Sequence, residues 1–214
     1  MKSGILIALE GLECSGKSTA IQTVKRICER CGLDTYCTRE PGGTPLGEKV
    51  RGLLLETNGP ICTQSELMLM AAARAQLCAE VIKPKLAKGM CVITDRFTLS
   101  TMAYQGAGRH VDLDLIQAVN DYATDSLSPD ITLLLDVDVN TCLTRMCARG
   151  HSDRIEQESA QFFNKVRLGY LLAACRDPSV IVIDSNGTLQ ALNSAVRRAM
   201  FTFLRGALWL TYMP

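Results

Sequence analysis

The chain has 214 residues, 47% of them hydrophobic and 21% charged, so it can bury one good-sized core and lies far from the composition of disorder. Its 23 basic and 22 acidic residues leave a net charge of +1, which excludes a global field able to hold nucleic acid or an anionic membrane. Any phosphate site must therefore be local, and the expectation is one domain over residues 1–214. No apolar run reaches the roughly 18 residues of a membrane span, and the N-terminus lacks the build of a signal peptide, so a cytoplasmic address is expected.

In chain order, Ile5 to Leu9 is an apolar run of strand length, followed by the turn residues Gly11 to Ser18 and a helical pattern from Lys17 to about Cys31. Further strands are expected at Thr35 to Thr38, Met90 to Thr94, Ile131 to Asp136 and Val180 to Asp184, separated by helix-length segments. This alternation predicts an α/β fold, a parallel five-stranded sheet flanked by helices on both faces, with continuously apolar strands buried on both sides. Ser65 to Lys88 reads as one long helix that Pro84 kinks or makes irregular near its end. Gly150 to Glu158 is polar and charged between two helical patterns, a candidate mobile segment. The tail 206–214, with Leu208, Trp209, Leu210 and Tyr212, reads as docked on the body or as an oligomer contact. The ten cysteines are scattered through predicted elements and read as buried thiols; Cys28 and Cys31 form a CxxC pair without a second pair at zinc spacing.

The strongest chemical signal is Gly11-Leu12-Glu13-Cys14-Ser15-Gly16-Lys17-Ser18, a GxxxxGKS loop between a strand and a helix. Its backbone N–H groups and the helix N-terminus would cradle the phosphates of ATP, Lys17 would reach the β and γ phosphates, and Ser18 would offer a hydroxyl to Mg²⁺. Thr19 completes this ATP-binding set. Asp95 and Arg96 stand at the carboxyl end of a strand, where ligands bind in open parallel sheets. The carboxylate can orient Mg²⁺ through its water shell, and the guanidinium can grip a phosphate in bidentate fashion. Arg39 follows the second strand on the same edge, Arg51 lies beyond it, and Arg74 shares a helix face with Met70 and Glu66 that could point into the same crevice. Arg145, Arg149 and Arg154 surround the polar segment, which in a phosphoryl-transfer enzyme would be a lid over about 149–158. An arginine closing over the transferring group can contribute a factor of roughly 10³ or more.

Taken together, the motifs resemble the thymidylate kinase family over nearly the whole chain. The resemblance rests on Leu9-Glu10-Gly11-Leu12-Glu13, on Thr38-Arg39-Glu40-Pro41-Gly42-Gly43-Thr44, on Asp95-Arg96-Phe97 followed by Ser100, Ala103, Tyr104 and Gln105, and on Asp153-Arg154-Ile155-Glu156-Gln157. It implies a P-loop NTPase fold and a transferase that makes dTDP from dTMP and ATP in nucleotide biosynthesis, with Mg²⁺, as a homodimer. It also implies that Glu13 approaches the sugar 3′-hydroxyl, that Arg51 and Arg96 hold the acceptor phosphate, that Arg74 bonds the thymine ring, and that Ser100, Tyr104 and Gln105 complete the nucleoside pocket. Cys14 stands where one branch of the family carries an arginine. The basic lid instead resembles the bacterial type, which makes Arg154 and Arg149 the candidate catalytic arginines beside Lys17 and Arg96. Met70 departs from the phenylalanine that usually stacks on thymine; a thioether covers a ring face without a planar stack. Two rival readings remain at this stage. One is a P-loop kinase for another nucleoside monophosphate or for a deoxynucleoside, whose 5′-hydroxyl would need Glu10 or Glu13 as base. The other is a module that senses ATP without turnover.

Overall fold

A computed structural model describes residues 4–56, 59–150 and 153–209. Leu210 to Pro214 of the apolar tail lie outside the described residues, as do positions 151 and 152 of the expected lid. Five parallel strands, β1 (Ile5–Glu10), β2 (Thr35–Arg39), β3 (Cys91–Asp95), β4 (Ile131–Asp136) and β5 (Val180–Asp184), form one sheet in the order β2-β3-β1-β4-β5. The expected strands match within a residue at each end.

Central β1 shows why the sheet is clothed on both faces. Ile7 and Leu9 pack with Ile21, Val24 and Ile27 of α1 (Lys17–Arg30) and with Val196 and Met200 of α9 (Leu189–Trp209). Leu6 and Ala8 turn the other way, toward Leu77, Cys78, Ile82 and Phe97. In α1 the buried positions Lys17, Ala20, Ile21, Val24, Ile27 and Cys28 recur every three to four residues, one stripe of a helix. Burial on both faces fails at the sheet edge. In β5, Ile181 and Val182 are 39% and 47% exposed, and β5 is an edge strand with a neighbour, β4, on one side only.

The other helices are α2 (Pro45–Glu56), α3 (Thr63–Leu77), α4 (Lys83–Ala87), α5 (Thr98–Thr101), α6 (Leu113–Thr124), α7 (Val139–Arg149) and α8 (Ala160–Ala174). The expected long helix is divided: α3 passes through a π-helical turn, Cys78–Ile82, into α4. Pro84 follows that turn at once. It has no N–H to continue the α-helical ladder, and its ring crowds the carbonyl one turn back. A second π-helical turn, Met102–Gly108, follows α5, with the Arg109 N–H donating to the Tyr104 carbonyl at 3.0 Å.

All ten cysteines are free thiols. Cys28, Cys78, Cys91 and Cys142 are buried, but Cys31, Cys37, Cys62, Cys147 and Cys175 are exposed, against the expectation of buried thiols. They fall on outward faces or at helix ends, where the apolar stripe does not reach.

Candidate active site

The P-loop leaves the carboxyl end of β1, the middle strand, so its phosphate cradle sits at the centre of the sheet edge. Gly11 adopts φ +133, where a Cβ would come within 2.4 Å of the Leu135 carbonyl, and Gly16, also left-handed, precedes the first residue of α1. Lys17 is 9% exposed, and its Nζ donates to the carbonyls of Gly11 (3.1 Å) and Leu12 (2.8 Å). Burial, and next the Arg96 charge, push its pKa below the ordinary lysine value, so the ammonium gains from an arriving anion. The Ser15 hydroxyl is buried without a hydrogen-bond partner, a free donor inside the cradle.

One cleft of about 510 Å³ joins this cradle to the acceptor side. It is lined by Glu13 through Thr19, by Arg39, Arg51 and Met70, by Asp95, Arg96, Ser100, Tyr104 and Gln105, and by Arg149 and Arg154. Apart from Gly11 and Leu12, the expected ATP-binding and acceptor residues share one space with Arg149 and Arg154, with one exception.

That exception is Arg74. It is 1% exposed and lies behind the cleft wall, where Nε donates to Glu40 (2.7 Å), Nη1 to Thr101 Oγ1 (2.9 Å) and Asn120 Oδ1 (2.6 Å), and Nη2 to the Phe97 carbonyl (3.0 Å), with Nη2 also 2.7 Å from Glu40. A guanidinium has five N–H groups, and these contacts take all of them. Arg74 therefore acts as a strut beneath the pocket in this structure, with its donors committed to protein groups. The helix-face argument placed its direction correctly but could not see that α5 and α6 close over it.

Arg96 is the hub of the acceptor side. It adopts φ +73, a left-handed conformation unusual for a side-chain-bearing residue and typical of strained functional sites. Its Nη1 donates to the Gly11 carbonyl (2.9 Å), Ser100 Oγ (3.2 Å) and the Tyr170 hydroxyl (2.9 Å), and its Nη2 to Glu13 (2.6 Å) and the Tyr104 hydroxyl (3.1 Å). Beneath it, Glu10 is fully buried and accepts from the Phe97 and Ser100 N–H groups (2.8 and 3.2 Å) and from the Tyr170 hydroxyl (3.0 Å). Burial raises the Glu10 pKa and the bond from Ser100 works against that rise. With its oxygens so occupied, Glu10 is structural. Glu13 is committed to Arg96 and Tyr104.

The other cations differ in their ties. Arg39 bonds Glu48 (3.0 Å) near the surface, and Arg51 donates to the Pro41 carbonyl (3.0 Å). Arg145 is no lid residue: it donates to the carbonyls of Cys14 (3.2 Å), Ser185 (3.0 Å) and Asn186 (3.2 Å) and clamps the loop after β5 to the P-loop. The segment expected to be a lid is bounded by Gly150, left-handed at the end of α7, and by Ser159, whose hydroxyl caps α8. Its described part, 153–158, is a turn in which Asp153 Oδ1 accepts from the N–H groups of Ile155 (2.9 Å) and Glu156 (3.0 Å). Arg149 pairs with Glu156, and Arg154 with Glu66 at 2.6 Å.

Sequence reasoning gave no role to Tyr170, Arg109 or Glu156, and named Glu66 only as a neighbour on the Arg74 helix face. Tyr170 reads as an ordinary core aromatic of α8, and Glu66, in the first turn of α3, as a helix-dipole partner. A charge immediately before the apolar stretch Leu67 to Ala73 was the available signal.

A family model described as thymidylate kinase matches residues 9–196. A thymidylate kinase of Shewanella loihica is 46% identical over 197 residues, 91% of this chain and 93% of that relative. One from Legionella pneumophila (strain Corby) is 41% identical over 204 residues, covering 94% and 96%. The crystal structure of thymidylate kinase from Ehrlichia chaffeensis superposes with a TM-score of 0.77 at 31% identity, covering 92% of this chain and 99% of that one.

Proposed function

The chain belongs to the thymidylate kinase family, and we propose that it transfers the γ-phosphoryl group of ATP to dTMP in the cleft described, as one kinase domain with a lid over about 149–158. The observation that carries this reading is that a P-loop with Lys17 and Ser18 shares a single cleft with Arg39, Arg51, Arg96, Met70 and Gln105.

The acceptor is already a phosphate, largely dianionic near neutrality because its second pKa is about 6, so no strong general base is required. The burial of Glu10 and the commitment of Glu13 to Arg96 fit that demand, and they weigh against a deoxynucleoside acceptor. Catalysis is then alignment of two polyanions and compensation of their repulsion. Lys17 and the buried Ser15 hydroxyl serve the donor phosphates. Arg96 and Arg51 hold the acceptor phosphate, with Arg39 at the rim, and Arg154 and Arg149 serve the group in transit. Ser18 and Asp95 bring a hydroxyl and a carboxylate, hard oxygen donors suited to Mg²⁺, into the same cleft. When bound, the ion neutralises charge on the donor phosphates.

The base pocket has its own logic. The Gln105 Nε2 donates to Glu66 at 2.7 Å, which fixes the amide so that Oε1, buried and without a partner, is left as an acceptor. A lone acceptor suits the N3–H of thymine and opposes cytosine, whose N3 is itself an acceptor. Met70 covers the ring. Ser100 and Tyr104, beside Arg96, complete the pocket.

Among the described residues no helix is long and apolar enough to cross a membrane, and the proposed setting is the cytoplasm. The proposed assembly is a homodimer; exposed Met68 on α3 with Leu115 and Tyr122 on α6 supply apolar surface for it. The test of function is a coupled ADP-release assay with ATP and Mg²⁺, presenting dTMP, dUMP, dCMP, dGMP and thymidine separately. Fast turnover with dTMP and little with dCMP or thymidine is expected. Turnover only with another acceptor would overturn the substrate.

A further inference from the structure

Glu66 is 1% exposed, yet it meets three donor residues from two segments, Gln105 and Arg109 at the second π-helical turn and Arg154 of the lid. Oε1 accepts from Gln105 Nε2 (2.7 Å) and Arg109 Nε (3.3 Å); Oε2 accepts from Arg154 Nη2 (2.6 Å) and Arg109 Nη2 (3.4 Å). Burial alone would favour its neutral form, but the Arg154 hydrogen bond leads a set of contacts that hold its pKa below the usual value. Arg109 stacks on Phe162 (4.6 Å) and pairs with Glu158 (2.6 Å), the last lid residue before the α8 cap. Arg154 itself is drawn toward α2 and α3: Nε donates to the Leu54 carbonyl (2.7 Å) and its backbone N–H to the Leu55 carbonyl (3.3 Å).

One buried carboxylate therefore holds the lid arginine, the arginine that grips the lid's far end, and the glutamine of the base pocket. Without that charge, the partly buried Arg154 would lose its carboxylate partner while Arg109 kept Glu158, a costly arrangement. Phosphate is the competing anion that can draw Arg154 away. We propose that Glu66 is a positioning residue for the lid, parking Arg154 on the acceptor wall until a phosphoryl group competes for it. The proposal rests on Arg154 serving the transferring group, but its first test does not.

Trypsin must capture the Arg154 side chain to cut the following peptide bond, and Arg149 in the same lid supplies an internal reference. In ligand-free full-length protein, the ratio of cleavage after Arg154 to cleavage after Arg149, read by mass spectrometry, should rise about tenfold in Glu66→Gln. In Glu66→Asp, which keeps the charge on a shorter arm, it should rise by a smaller factor, and this variant decides the matter if Glu66→Gln does not fold. An unchanged ratio, or an equal rise at both sites, would overturn the proposal. Loss of kcat in Arg154→Ala with an unchanged ratio in Glu66→Gln would remove the parking role and keep the catalytic one. A raised ratio with normal kcat in Arg154→Ala would keep the parking role and remove Arg154 from transfer.

Discussion

The two halves of the cleft solve the same problem, holding phosphate, in opposite ways. The donor half is one contiguous loop; among the described residues Lys17 donates to carbonyls of that loop, and the Ser15 hydroxyl is without a partner. On the acceptor half the main cations already have protein partners, Arg96 with Glu13 and Arg154 with Glu66. A phosphate entering the first half meets unsatisfied donors, whereas one entering the second must displace internal anions. On the proposed reading the donor side would contribute affinity and the acceptor side discrimination.

The largest expected effect tests the donor half. Lys17→Ala should lower kcat by about 10³ or more while circular dichroism and Tm stay near those of the parent. Retained turnover would dissolve the contrast by showing that the loop backbone suffices. Next, Arg154→Ala should lower kcat by about 10² and leave KM for dTMP within a few-fold, as for a contact made chiefly in the transition state. A change confined to KM would make Arg154 part of ground-state binding and bring the two halves closer in kind. Smaller is Met70→Phe. An aromatic stack is worth about 0.5–1.5 kcal/mol beyond area burial, so KM for dTMP should fall roughly twofold to tenfold. A rise would mean that the thioether fits a pocket already too narrow for the ring.

The smallest effect concerns Glu10, beneath the hub. Its folded-state pKa is raised above 4.5, so the unfolded chain ionises first as pH rises. Stability is then fullest below about 4.5 and declines as pH climbs through the raised native value. Glu10→Gln should flatten that decline in a Tm-against-pH series. A parallel pair of curves would show that Glu10 does not titrate across the window.

This contrast also sets what could be read from the sequence. The P-loop was legible because a short contiguous motif carries its own geometry, and the five strands were legible because apolar runs mark them. Asp95 and Arg96 were singled out from their place at a strand end, and both line the cleft. The network around Arg74 was not legible, since its partners Glu40, Thr101 and Asn120 come from 27 to 46 positions away and no local pattern announces them. Glu66 as a hub and Tyr170 escaped for the same reason. The edge character of β5 also stayed hidden, for Val180-Ile181-Val182-Ile183 is as apolar as a central strand and only sheet order exposes it.

The π-helical turn at Met102–Gly108 has a consequence for how this pocket can change. In a regular α-helix, residues five apart point in well-separated directions, while a wider turn brings positions i and i+5 into line. Ser100, in α5 just before this turn, lines the cleft together with Tyr104 and Gln105 inside it. A turn with one residue too many can be healed by losing one. Removing Ala107 would let the helix tighten and swing the residues before it against those after it, so the pocket's shape is sensitive to length here as well as to composition. Substitutions can adjust what the pocket prefers, but an indel in this turn would rebuild its wall in a single step.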